Sequence, residues 1–350
     1  MITVQYSKSP HEHIRLASQE GAQNLAILEY LAEGNANIVY SFQPITNNVL
    51  PHGLRHKLLR LRKDKSFIQP TKAQSLTFQQ EFLPLFRPNN LVEQTLITLD
   101  EVLIRHLNQE LEEHEVAKLR KHMRHGDRLA IDEYGLLMTD MTASHGEYLF
   151  EIKPKWLLQS PDAPEGSKRC RTCALRLQRA HAMARGAVMP KPGGFCPLSL
   201  VDVDVEERQT AFRSIIEAQA GDLSDESVSS VVTFLAEKGY QVLETLRKHQ
   251  SQFDNQGVSN DYSKAMTLRD CVLFVKGSID TFENTADIRL ADMDFKHAHP
   301  DKVEKWMETE RTLIDEGWAW LSVFAYSKIT LNHLSMAFGT WEFFVLNTSK

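Results

Sequence analysis

Cysteine is scarce in this chain. Four in 350 residues are too few for the disulfide framework of a secreted domain. Cys170 and Cys173 stand in a C-x-x-C, Cys196 follows downstream and Cys271 is isolated, a usage that predicts reduced thiols in an intracellular protein. The opening Met1-Ile2-Thr3-Val4-Gln5-Tyr6 lacks a basic-then-apolar leader, so no secretory signal is expected. Long apolar runs are missing too. Even the aromatic-rich stretch from Ala319 to Lys350 is interrupted by Lys328, Asn332, His333 and Glu342, which predicts no membrane span there. Nor is there an excess of positive charge: the formal net charge is −6, which argues against a dedicated nucleic-acid binder. At 42% hydrophobic and 25% charged, the chain reads as a globular protein long enough for two lobes.

Positive charge is nevertheless concentrated in one place. From Lys153 to Lys191 nine Lys or Arg, at 153, 155, 168, 169, 171, 176, 179, 185 and 191, face two acids, Asp162 and Glu165. A solvated basic face is one reading of such a run, and a polyanion pocket that neutralises several phosphates is the other. Glu151-Ile152-Lys153-Pro154-Lys155 opens it. The proline predicts an extended backbone that points both lysines to one face, where two ammoniums repel unless an anion sits between them.

In chain order, residues 9 to 31 mix helical and apolar signals and end in Ile27, Leu28 and Leu31. Glu33-Gly34-Asn35-Ala36-Asn37-Ile38-Val39-Tyr40 predicts a turn and a strand, a hairpin that is either ordinary or able to cover phosphates with backbone N–H groups. Lys57 to Lys63 partly alternates apolar and basic residues, as a strand does, and leaves open whether Arg60 points inward or to solvent. From Asn90 to Met123 the spacing of Leu96, Leu99, Val102, Leu103, Leu107 and Leu111 predicts helix. Residues 134 to 139 and 147 to 152 predict two strands, with a lobe boundary near 142 to 146. Residues 205 to 250 carry helical periodicity in two pieces split at Gly221 to Asp225, and Gln250 to Tyr262 predicts a loop. A strand is expected after the polar pair Arg269-Asp270. Ile288 to Lys296 alternates, so that Asp292, Asp294 and Lys296 share a face: a solvated edge or a hard-cation site. These parts suit phosphoryl transfer, where a protein mainly positions groups and offsets charge.

The same blocks resemble the inositol-pentakisphosphate 2-kinases of fungal type. The likeness rests on Glu33 to Val39, Lys57 to Lys63, Glu151 to Lys155, Cys170-Arg171-Thr172-Cys173 with Cys196-Pro197-Leu198, Arg269-Asp270-Cys271 and Asp292 to Lys296, which occur in the family's order. The resemblance implies an α+β, bilobal, protein-kinase-like fold: an N-lobe antiparallel sheet with helices over 1–143, a larger mixed C-lobe over 144–318, and an extension over 319–350. It implies ATP and Mg²⁺, and transfer of a phosphoryl group to the 2-hydroxyl of inositol 1,3,4,5,6-pentakisphosphate.

By the same resemblance Gly34, Asn35, Ala36 and Asn37 cover the ATP phosphates, Arg60 stands where kinases carry a lysine, and Thr139, Asp140 and Met141 face adenine. Lys153 and Asp270 are catalytic. Arg124, Lys155, Arg171, Arg179, Lys296 and Lys302 bind substrate phosphates, and Asp292 with Asp294 holds Mg²⁺. Leu175 stands in place of a family histidine, Trp306 in place of an aromatic hydroxyl, and paired asparagines are missing between 205 and 255. Cys170, Cys173 and Cys196 with His181 match zinc-ligand spacing, although buried reduced thiols are the favoured reading. A monomer in the nucleus or cytoplasm, acting on a small molecule without nucleic acid or membrane, is expected. The rival readings are a non-catalytic inositol-phosphate or polyanion-binding module and a kinase for another inositol phosphate.

Overall fold

The computed structural model describes residues 2–9, 14–18, 25–45, 49–184, 194–254, 262–296 and 300–320, with backbone alone at 184, 254, 300 and 302. The chain divides into two compact units, Met1–Thr142 and Ala143–Lys350.

In the first unit seven strands close into a barrel: β1 (Ile2–Lys8), β2 (Ile14–Ser18), β3 (Leu25–Glu33), β4 (Asn37–Pro44), β5 (Lys57–Arg62), β6 (Gln94–Leu99) and β7 (Tyr134–Thr139). Their order is β1-β2-β6-β7-β5-β4-β3, and the β2–β6 pairing is parallel while the others are antiparallel. Closure leaves no open edge, which short, twisted strands otherwise have to protect. Helix α1 (Thr71–Thr77) precedes β6, and α2 (Glu101–Val116) follows it. Leu103, Ile104, Leu107 and Leu111 of α2 pack on the barrel residues Val4, Leu16, Leu28, Tyr40 and Ile97.

Two sequence expectations are corrected here. Residues 14–18 and 25–33 are strands rather than mixed helix, paired with β1 on both sides. The stretch from Asn90 is not one helical region: Leu96 and Leu99 lie in β6. Spacings of three and four residues ran unbroken from the strand into the helix and hid a period of two. Asp100 marks the real start, where its carboxylate accepts from Val102 N at 3.0 Å and caps α2.

The second unit is built on a three-stranded antiparallel sheet, order β10-β9-β8, from β8 (Glu147–Ile152), β9 (Val272–Ser278) and β10 (Asp287–Ala291). Its helices are α3 (Arg171–Ala184), α4 (Val205–Glu217), α5 (Asp225–Phe234), α6 (Tyr240–Asp254), α7 (Tyr262–Arg269), α8 (Phe282–Thr285) and α9 (Pro300–Asp315). Phe150 of β8, Phe282 of α8 and Phe234 of α5 meet edge to face, with centroids 6.2 and 5.5 Å apart, and join sheet to helices. Gly277 is required by that contact, since a Cβ there would lie 3.1 Å from the Phe282 ring. The outer edge of β8 is covered by Gln219, whose amide exchanges hydrogen bonds with Glu151 N and O, both at 3.0 Å, as a strand would. Ala174 and Leu177 of α3 pack against Leu313 of α9 and Trp318.

Helix α6 runs on to Asp254, past the predicted loop start, and residues 255–261 lie outside the described ones. Thr267, Leu268 and Arg269 close α7, and the strand expected after the Arg269-Asp270 pair is β9. Of the extension, only Ala319 and Trp320 are described.

Candidate active site

Antiparallel pairing decides what meets what in the second unit. Ile152 lies opposite Leu273, and Ala291 opposite Val272, so the C-terminal ends of β8 and β10 both arrive at the start of β9. The residues just beyond these ends therefore converge: Lys153 to Lys155, Asp270 and Asp292.

Asp270 is the centre. Lys155 Nζ lies 3.0 Å from its Oδ1 and Lys296 Nζ 3.2 Å from its Oδ2, so each oxygen has its own ammonium. All three side chains are about one-third exposed, at 36, 31 and 31%. Burial alone would raise the Asp270 carboxyl, but the Lys296 and Lys155 charges outweigh it and hold it below the usual carboxylate range. Burial would likewise lower Lys296, yet the Asp292 and Asp270 carboxylates hold it above the usual lysine range. Asp270 and Lys296 are thus both ionised near neutral pH. Asp292 Oδ2 lies 4.0 Å from Lys296, and its half-exposed carboxylate faces solvent.

Backbone conformation corrects two expected faces. Lys155 has φ +60°, so Lys-Pro-Lys is not extended to its end and the two ammoniums are not neighbours. Lys155 turns to Asp270, whereas Lys153, half exposed, lies 3.7 Å from Glu151. Asp292 has φ +57°, so the strand stops at Ala291 and the expected alternation through Lys296 is broken. Left-handed backbone is costly for any residue with a Cβ and persists where the surroundings hold it. Two fully buried polar side chains supply part of that hold: Gln250 binds Lys155 O, and Thr267 binds Lys296 N. Sequence reasoning missed both.

Around this centre, Arg171 at the start of α3 donates to Trp306 O at 2.9 Å and lies 3.4 Å from Glu310. Arg269 is close enough to be repelled by it: burial first, then the Arg171 charge, push its guanidinium down to about 10. Arg179 is exposed on α3, and the side chain of Lys302 lies outside the described residues. Trp306 packs on Tyr262, with centroids 5.6 Å apart. Leu175 is half buried against the α3–α9 contact.

The three thiols of Cys170, Cys173 and Cys196 converge, with all sulfurs within 4.8 Å of one another and Cys170 and Cys196 3.7 Å apart. Among the described residues they form the one such group of three metal-ligating side chains. Cys196 ionises first, because the Cys170 and Cys173 thiols and the backbone N–H groups of Leu198 and Ser199 donate to its sulfur against the opposing effect of burial. His181 is not in that group. It lies against Trp318, 5.2 Å between centroids, and eight residues along α3 from Cys173, about 12 Å of helix rise.

In the first unit the turn between β3 and β4 is closed by Gly34 N to Asn37 O at 2.9 Å and tied to the end of β5 by Lys63 N to Ala36 O at 2.8 Å. Asn35 Oδ1 accepts from Arg124 at 3.3 Å and Lys65 at 3.4 Å, so the structure places Arg124 at this turn. Beneath lies a buried ionic network. Glu33 takes both Arg120 Nε and Nη2, at 2.9 and 2.8 Å, and Lys63 at 2.6 Å; Lys63 also reaches Asp127 at 2.8 Å. Burial raises Glu33, but Arg120 and Lys63 outweigh it and hold it below the usual range. Arg60 is buried in β5, paired in register with Val39 and Leu136. Thr139 ends β7, Asp140 Oδ1 caps Thr142 N at 2.8 Å, and Met141 is buried. Sequence reasoning also missed the Glu33–Lys63–Arg120 network, whose one local signal was an acid directly before the turn glycine.

An ionised carboxylate gripped by two ammoniums, with Arg171 and Arg269 near one another beside it, marks the centre of an α+β protein rich in charge at this point. The chain belongs to the inositol-pentakisphosphate 2-kinase family, whose sequence model matches residues 30–312. It is 31% identical over 177 residues to the inositol-pentakisphosphate 2-kinase of Yarrowia lipolytica, a match that covers 49% of this chain and 53% of that protein. To that relative, then, the chain spans about half its length. To the enzyme of the same name from Debaryomyces hansenii it is 23% identical over 319 aligned residues, covering 71% of this chain and 75% of the relative.

Proposed function

We propose that the protein transfers the γ-phosphoryl group of ATP to the 2-hydroxyl of inositol 1,3,4,5,6-pentakisphosphate, giving the hexakisphosphate. The observation that carries this is Asp270 between Lys155 and Lys296: a carboxylate to align the acceptor hydroxyl, flanked by cations that a polyphosphate can recruit. Membership of the kinase family and the activity for which both relatives are named agree with it.

In this reading the two units are the lobes of a protein-kinase-like fold. Gly34 to Asn37 lie over the ATP phosphates, Arg60 offsets their charge and Thr139 to Met141 face adenine. Asp270 orients the 2-hydroxyl and accepts its proton as the new O–P bond forms and the bond to ADP breaks. Lys153 offsets charge on the transferring group, while Lys155, Lys296, Arg171, Arg179 and Lys302 hold phosphates of the acceptor. Asp292 and Asp294 suit Mg²⁺, which takes oxygen ligands and commonly only one or two carboxylates beside substrate phosphates; Asp292 presents a half-exposed carboxylate. When bound, the ion screens phosphate charge. The convergent thiols of Cys170, Cys173 and Cys196 we read as a structural zinc site, since the 3.7 Å sulfur separation is close to the edge of a tetrahedron with Zn–S of about 2.3 Å.

The test is to incubate the purified chain with ATP, Mg²⁺ and inositol pentakisphosphate and to separate products by anion exchange. A hexakisphosphate peak is expected. No peak, with the ligand still raising the unfolding temperature, turns the reading to a non-catalytic polyanion-binding module, in line with Leu175 and Trp306 at ligand positions; phosphorylation of a different isomer turns it to another inositol phosphate kinase.

A further inference from the structure

Gln250 and Thr267 are wholly buried polar side chains, and each places one hydrogen bond on the backbone of a lysine that flanks Asp270. The Gln250 amide is saturated. Its Oε1 accepts from Leu157 N at 2.9 Å, and its two Nε2 hydrogens go to Lys155 O at 2.9 Å and Leu268 O at 3.1 Å. One side chain on α6 thus ties the loop after β8, directly behind the left-handed Lys155, to the last turn of α7. Thr267 works from α7 itself. Its carbonyl accepts from Asp270 N at 3.1 Å, and its Oγ1 accepts from Lys296 N at 2.8 Å while donating to Ser263 O at 2.8 Å. The same residue therefore fixes the backbone of Asp270 and of one of the lysines that grip it.

A purely structural role would be to keep buried backbone groups satisfied wherever they fell. Here the backbone groups served include those of Lys155 and Lys296, the two residues whose ammoniums lie 3.0 and 3.2 Å from Asp270. Neither lysine is on a regular element, so nothing in a strand ladder or helix sets where its side chain starts. We propose that Gln250 and Thr267 are positioning residues that set Lys155 and Lys296 on opposite sides of Asp270 and thereby fix the spacing of two phosphate-binding cations. The inference rests on the kinase reading given above.

The test uses the full chain, with steady-state kinetics in ATP, Mg²⁺ and inositol pentakisphosphate and, separately, calorimetric binding of the inositol phosphate without ATP. Gln250→Glu keeps the acceptor for Leu157 N and loses both donors; Thr267→Val removes the hydroxyl at nearly constant shape; Thr267→Ser restores it. Gln250→Glu and Thr267→Val are expected to weaken inositol-phosphate binding, and to raise its KM, by roughly tenfold or more with the KM for ATP little changed. Thr267→Ser is expected to recover most of the loss. If Gln250 acts through Lys155, Gln250→Glu adds little to the loss already caused by Lys155→Gln. Unchanged affinity and KM for the inositol phosphate, with kcat falling only in step with the folded fraction, would overturn the proposal. So would full additivity of Gln250→Glu with Lys155→Gln. If the Gln250 variant yields no folded protein, the Thr267→Val and Thr267→Ser pair decides alone. Wild-type protein that binds the inositol phosphate without turning it over counts against the kinase reading, and the calorimetric arm still decides the positioning.

Discussion

Asp270 is occupied through both oxygens before any ligand arrives, and this determines what its removal does. On the proposed mechanism Asp270→Ala deletes the group that aligns and deprotonates the acceptor hydroxyl, so turnover is expected to fall by about 10²-fold or more. The same change leaves Lys155 and Lys296 without their carboxylate and free to take phosphates, so calorimetric affinity for inositol pentakisphosphate should hold or rise; a loss of affinity alongside turnover would make Asp270 a structural residue. Glu33 is the contrasting case, an acid whose role is hold rather than chemistry. Its side chain is 4% exposed and its partners Lys63 and Arg120 are fully buried. Because its folded pKa is depressed below the ordinary 4.5, its contribution to stability is present above that pH and is lost as the pH falls through the depressed value. Asp127, held low by Lys63 and Lys65 against burial, adds to the same acid limb. Thermal unfolding of the wild type should therefore be nearly flat from neutral pH down to about 5 and drop steeply below about 4.5. Glu33→Gln should cost about 3–5 kcal/mol at neutral pH by leaving two buried cations short of a partner, and should flatten the acid limb. An unchanged limb would assign the acid sensitivity elsewhere.

At the scale of elements, what could be read from sequence was what is local. Strands β7 and β8 and the polar turn before β4 carry their own alternation and breakers, and they stand where the pattern puts them. The merged reading of β6 and α2 failed because leucines three and four apart satisfy a helix even when the first of them belong to a strand, and the capping by Asp100 is a contact, not a composition. The faces expected of Lys155 and Asp292 failed at single left-handed residues that no residue preference announces. Gln250 and Thr267 were illegible for a different reason: they act on Lys155 and Lys296, 95 and 29 residues away, and only the fold brings those together. The cysteines lie between the two cases. C-x-x-C is local, but Cys196 reaches it only through the fold, from 23 residues beyond Cys173. Titration with Co²⁺ is expected to give a thiolate-to-metal charge-transfer band of about one metal per chain that Zn²⁺ displaces and Cys196→Ser abolishes. A chain with no such band holds no metal on these sulfurs, and Cys196→Ser should then leave its unfolding temperature almost unchanged.

At the scale of the whole molecule the charge distribution works against the net charge. The chain carries −6 overall, so a polyanionic substrate is repelled at long range, yet nine basic residues between Lys153 and Lys191 face two acids there. On the proposed function, capture of inositol pentakisphosphate comes from this local field, since the mean charge opposes it. Salt separates the two. Long-range repulsion is screened beyond roughly 10 Å at 0.1 M ionic strength, whereas the attraction to be screened at higher salt is that between phosphates and half-exposed ammoniums at contact. The KM for inositol pentakisphosphate should accordingly rise several-fold between about 0.1 and 0.5 M KCl, and more steeply than the KM for ATP, which carries fewer charges into fewer cations. Replacing Arg179, exposed on α3, by Gln should lower the slope of log KM against log salt while leaving kcat at saturating substrate close to wild type. A slope identical in wild type and Arg179→Gln would take that arginine out of the phosphate grip, and a KM for inositol pentakisphosphate that does not respond to salt would mean that the basic segment is a solvated surface and that shape, not charge, selects the substrate.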